Sequence, residues 1–130
     1  MIGIIIVAHG GLAKEYLAAV EHVVGAQKGI RAITIAAEED RAVKQEEICA
    51  AADAVDQGDG VVIVTDMFGG SPSNLSLRAC NMADRRILYG ANLPMLIKLA
   101  KSRRKPVPDA VAAAIDAAHK YINSHAGGSV

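Results

Sequence analysis

Residues 2–8, "IGIIIVA", form an unbroken apolar run rich in β-branched side chains, and residues 60–66, "GVVIVTD", repeat the pattern. A strand with one face in water alternates apolar and polar residues. A run without alternation needs apolar cover above and below, which is the condition of a parallel strand sandwiched between helices. Segments of helical period separate the runs. Leu12, Tyr16, Val20, Val23 and Val24 recur at helical spacing and Gly25 closes that helix. "RAITIA" (residues 31–36) reads as the second strand, and "DRAVKQEEICAAADAV" as the helix after it, with Val43, Ile48, Ala52 and Val55 near one face. After the third strand, "MFGGSPSN" leads into a short helix carrying Leu75, Ala79 and Met82. "RRILYGAN" gives a fourth, weaker strand. Beyond Pro94, "MLIKLAKSRR" and "DAVAAAIDAAHKYI" read as helices, the last with Val111, Ile115, Ala118 and Ile122 in register.

Strand–helix alternation predicts an α/β fold, a doubly wound and mostly parallel sheet with helices on both faces. Right-handed crossovers allow a change of face only if the chain restarts beside its first strand, which gives the order 2-1-3-4. In that order the carboxyl ends of the first and third strands lie side by side, where open α/β sheets bind ligands. His9 ends the first strand and Asp66 the third, so the two are expected to meet. The chain of 130 residues suits one domain, residues 1–125, with a flexible tail at 126–130. Aromatics are 3% of the sequence and Trp is absent, so the core is expected from Ala, Val, Ile and Leu.

Formal charge is zero, with Lys+Arg 14 against Asp+Glu 14, which lacks the basic excess of a nucleic-acid binder. The one basic cluster, "KSRRK" at residues 101–105, reads as a solvated turn or, alternatively, a docking patch. Cys49 and Cys80 are isolated in Ala-rich helical contexts and read as inert thiols. Neither CxxC nor zinc spacing occurs, and no metal or cofactor is expected. The apolar start is too short for a membrane span and has no basic leader, so a soluble, cytoplasmic protein without membrane insertion is expected.

His9 has two readings. It either terminates its strand and bonds a loop, or it carries chemistry. A carboxylate on one ring nitrogen fixes the tautomer and leaves the other as a base or nucleophile. Asp66 can supply that carboxylate or merely cap its loop. "FGGSPSN" offers Gly69 and Gly70 for a tight turn with open amides, Ser71 as N-cap and Pro72 at the first helical position. That is either an ordinary helix start or an anion cradle. No Gly-Lys-Ser/Thr follows, and Ala8 stands where histidine phosphatases carry arginine. Histidine, carboxylate and cradle together point to phosphoryl transfer.

"VAHG", "VTDMFGGSPSN" and "GANLPML", each after a strand and in this order, resemble the mannose-family enzyme IIA domains of the bacterial sugar phosphotransferase system. The resemblance covers roughly residues 2–122 and implies a flavodoxin-like fold. It implies that His9 accepts a phosphoryl group from the phosphocarrier protein HPr and passes it to a IIB domain or subunit, or serves a regulatory target. It further implies that Asp66 orients His9, that Gly70 and Ser71 hold phosphoryl oxygens, and that the chain is a homodimer. Met67, Phe68 and Leu93 are candidates for partner contact. Asn74 and Asn92 are candidates to brace the site loops, and His22, His119 and His125 read as surface residues. Alternatives are a phosphocarrier of a dihydroxyacetone kinase system, a non-catalytic module whose partners sense the charge on His9, and a chelatase-like protein. The anion loop argues against the last.

Overall fold

The computed structural model describes residues 1–67 and 84–128. Strands β1 (Gly3–His9), β2 (Ile30–Ile35), β3 (Val61–Thr65) and β4 (Arg85–Leu88) form one parallel sheet in the order β2-β1-β3-β4. Helix α1 (Leu12–Val24) follows β1 and α2 (Arg41–Val55) follows β2. After β4 come α3 (Leu93–Lys101) and α4 (Val107–Lys120). The central strands are apolar on both faces because both faces are covered. Ile4, Ile6 and Ala8 of β1 pack with Val62 and Val64 against α1, α3 and α4. The alternate residues Ile5 and Val7 pack with Val61 and Ile63 against Ile48, Ala52 and Val55 of α2. Both clusters are aliphatic, with Met95 added on the α3 side. The predicted short helix with Leu75, Ala79 and Met82 lies outside the described residues, as does Cys80.

Helix starts follow their capping residues. Asp40 Oδ1 accepts the N–H groups of Ala42 at 2.9 Å and Val43 at 3.3 Å. Asn92 Oδ1 accepts the Met95 N–H at 3.0 Å, and Pro94 sits inside the first turn of α3 rather than before it. Asn92 Nδ2 also donates to Ala118 O at 3.0 Å, tying the start of α3 to the end of α4.

Several predicted core positions face water: Leu12 and Val23 on α1, Val43 on α2, and Ile115 and Ile122 at α4 and just beyond it. The predicted Val20, Ile48, Ala52, Val55, Val111 and Ala118 are buried, and further alanines, Ala13 on α1, Ala51 on α2, and Ala110 and Ala114 on α4, complete the stripes. Small residues let these helices lie close on the sheet, and the bulkier neighbours turn outward. The basic cluster also divides. Arg103 is buried, its Nε donating to Ile2 O at 2.8 Å and its Nη1 to Gln27 Oε1 at 3.2 Å, and burial pulls its guanidinium below the ordinary range. It is an internal staple between the start of β1 and the α3–α4 turn, not part of a solvated one. No described helix is long and apolar enough to cross a membrane.

Gly60 leads into β3 at φ +92, and a Cβ there would overlap Asp84 O, which already accepts the Val61 N–H at 3.2 Å. Gly60→Ala is expected to cost about 2–4 kcal/mol, combining left-handed strain with a backbone clash. Gly58 has φ +96 but nothing within 4 Å of a Cβ, so Gly58→Ala is expected to cost only about 1–2 kcal/mol. Urea midpoints check this, and equal shifts in the two variants would contradict it.

Candidate functional site

The β1–β3 register pairs Val7 with Thr65, so Asp66 follows the last pair level with the end of β1. One oxygen of Asp66, Oδ2, takes two hydrogen bonds from His9: the backbone N–H at 3.1 Å and ring Nδ1 at 2.9 Å. An ionised carboxylate only accepts, so the shared proton belongs to Nδ1, and in the neutral ring the lone pair is on Nε2. The His9 side chain is 49% exposed and that of Asp66 11%, so the carboxylate is sheltered while half of the imidazole side chain meets solvent.

Burial works to raise the Asp66 carboxyl. The ring and backbone hydrogen bonds from His9, with its charge, outweigh that and hold it below the ordinary 3.8. The other oxygen, Oδ1, is buried without a hydrogen-bond partner among the described residues. A half-satisfied buried carboxylate is costly, and such costs collect at functional sites.

Behind His9, Gly10 turns the chain at φ +56 and Gly11 stands at the N-cap of α1 without a side-chain cap. His9 thus stands two residues before the N-cap of a thirteen-residue helix whose positive end has no side-chain cap. Tyr16, one turn further along α1, was expected only as part of a core face. Its hydroxyl donates to Ala91 O at 3.2 Å, and the Ala91 N–H donates to Thr65 O at 3.0 Å, next to Asp66. Burial first, and then the Asp66 charge, push the Tyr16 phenol above its ordinary 10.0. Tyr16 therefore links α1 and the β4–α3 loop to the strand end that carries the carboxylate. Only its place one turn after the Gly10–Gly11 pair hinted at this.

A raised phenol contributes stability below the unfolded value that is lost as pH rises through the folded one. Wild type is therefore expected to lose more stability than Tyr16→Phe as pH climbs above 10. Urea unfolding of both chains across that range checks this, and parallel pH curves would contradict it.

The structure thus brings His9 and Asp66 together. Met67, the next residue, is 57% exposed, and Leu93 is half-buried at the start of α3. Asn92 braces α3 against α4. Gly70, Ser71, Phe68 and Asn74 lie outside the described residues. His22, His119 and His125 are exposed. Among the described residues no group of three His, Cys, Asp or Glu side chains is arranged to hold a metal.

Residues 3–116 match the family described as PTS system fructose IIA component, EIIA-man. The chain belongs to this mannose-type enzyme IIA family of the phosphotransferase system. It is 29% identical over 103 residues to the PTS system mannose-specific EIIAB component of Escherichia coli (strain K12), covering 78% of this chain and 32% of that protein. The chain therefore spans about a third of the length of that relative. Among solved structures, phosphotransferase system component EIIA from Streptococcus agalactiae superposes with a TM-score of 0.84 at 29% identity, covering 95% of this chain and 97% of the other. The mannose/sorbose specific IIA subunit from Enterococcus faecalis shares the fold, with a TM-score of 0.86 at 22% identity over 99% and 98% of the two chains.

Proposed function

We propose that this enzyme IIA chain is a phosphoryl carrier in which His9 Nε2 is the acceptor. The observation that carries the reading is the 2.9 Å contact between His9 Nδ1 and Asp66 Oδ2, which leaves Nε2 as the nucleophilic edge of a half-exposed ring. In the forward step the Nε2 lone pair attacks the phosphorus of phosphohistidine on HPr. A P–N bond forms at His9 as the donor's P–N bond breaks, and that electron pair returns to the donor imidazole. The Nδ1 proton stays on the Asp66 bond, so the carboxylate offsets the charge of the phosphorylated ring. Such a transfer asks for alignment and charge stabilisation and little else.

The uncapped start of α1 favours the incoming anion. Gly70 and Ser71, from the glycine-rich motif, are assigned to the phosphoryl oxygens, and Met67, Phe68 and Leu93 to the contact with the protein partner. The second step passes the group to a histidine of a IIB domain or subunit, for sugar uptake or as a regulatory signal. A cytoplasmic homodimer completes the reading.

Incubation with phosphoenolpyruvate, enzyme I and HPr tests it. The expected result is one acid-labile, alkali-stable phosphoryl group per chain, with none when HPr is omitted. No incorporation from phospho-HPr would refute the assignment.

A further inference from the structure

Helices α3 and α4 run antiparallel, joined through residues 102–106, and between them lies an open groove of about 790 Å³. Its middle is aliphatic, formed by Ile97, Ala113 and Ala117, with Leu93 at the end nearest the carboxyl edge of the sheet. Its ends are cationic. Lys98 and Lys101 lie in the last turn of α3 and Lys105 in the turn after it, and Lys120 stands at the other end, its ammonium 5.5 Å from the Tyr121 ring centroid. Among the described residues the only lining carboxylate is Asp116, and none of the four lysines is in an ion pair. A chain of zero formal charge thus gathers four of its fourteen basic side chains around one apolar trough.

We infer that this groove docks an acidic amphipathic helix of a partner protein. A compact anion such as inorganic phosphate would reach one end and leave the apolar middle wet. Engaging both ends needs carboxylates at both ends of the occupant, and covering the middle needs an apolar stripe between them. A helix with leucines along one face and glutamates in its first and last turns meets both demands, while a flexible polyanion meets only one. Lys101 and Lys105 come from the basic cluster of residues 101–105, so the solvent-facing part of that cluster takes the docking role. The inference does not rest on chemistry at His9, since the groove is complete in the unphosphorylated chain.

The test is fluorescence anisotropy with a labelled fifteen-residue synthetic helix carrying that leucine stripe and those terminal glutamates. Binding is expected, weakening with added salt. Lys98→Glu/Lys120→Glu is expected to weaken it at least about tenfold, and a control pair on the α2 side of the sheet, Arg31→Glu/Arg41→Glu, less than about twofold. A second peptide with serine in place of every leucine is expected to bind at least about tenfold more weakly. Equal binding of the two peptides, or equal loss in both pairs of variants, would overturn the inference. So would binding to phosphatidylserine vesicles with none to the peptide.

Discussion

Alanine at position 9 is expected to leave the chain folded and to abolish acid-labile phosphorylation by phospho-HPr altogether. The effect is all or none because the proposed mechanism has one acceptor. His22, His119 and His125 are exposed, but none is among the partners of Asp66 or at the carboxyl ends of the central strands. Stability should change little, within about 1 kcal/mol, since a half-exposed ring buries little apolar area and its backbone N–H still reaches Asp66 Oδ2. Radiolabel incorporation beside a urea unfolding curve checks both halves. Label persisting in His9→Ala would move the acceptor elsewhere.

Asp66→Ala is the second large effect, expected to slow phosphoryl transfer by about 10²–10⁴-fold, the range for removing the carboxylate that orients a catalytic histidine. Without it the ring is free to rotate and to place its proton on either nitrogen. The fold should tolerate the change. The lost His9 bonds are offset by removing a buried carboxylate whose Oδ1 has no partner among the described residues, so the net cost is expected within about 1 kcal/mol. The acid limb distinguishes this variant further. A carboxyl held below 3.8 contributes stability above its unfolded value that is lost as pH falls through the folded one. Wild type should lose that contribution in acid and Asp66→Ala should not. Quenched-flow transfer rates decide the first point, and rates within about threefold of wild type would reject the orienting role.

The architecture was legible because its strongest signals are chain-wide. Two unbroken β-branched runs demanded cover on both faces, and the handedness of crossovers then ordered the strands. That order is also why His9 and Asp66, 57 positions apart, could be paired from sequence. What escaped was decided by partners that local pattern does not reveal. Arg103 looked solvated until Ile2 O and Gln27 Oε1, from a distant strand end and its neighbouring turn, supplied its hydrogen bonds. Arg85, at the start of a strand read as weak, is likewise buried against Asp53 and Asp56 of α2 and the turn after it. On the helices, period alone does not tell which apolar stripe wins. Alanines joined Ile48, Val55 and Val111 in the buried stripes, and Val43 and Ile122 were left outside. Tyr16 was hidden for a related reason: its spacing marks a core face, while its hydroxyl ends at Ala91, across the loop that frames the site.

The central claim is chemical and positional: the phosphoryl group resides on Nε2 of His9 while Nδ1 keeps its proton on Asp66. Long-range proton–nitrogen correlation NMR on the phosphorylated, nitrogen-15-labelled protein reads both ring atoms directly. The account predicts phosphorus coupling at Nε2 of His9 and a protonated, hydrogen-bonded Nδ1. Coupling at Nδ1, or at any other histidine, would contradict it.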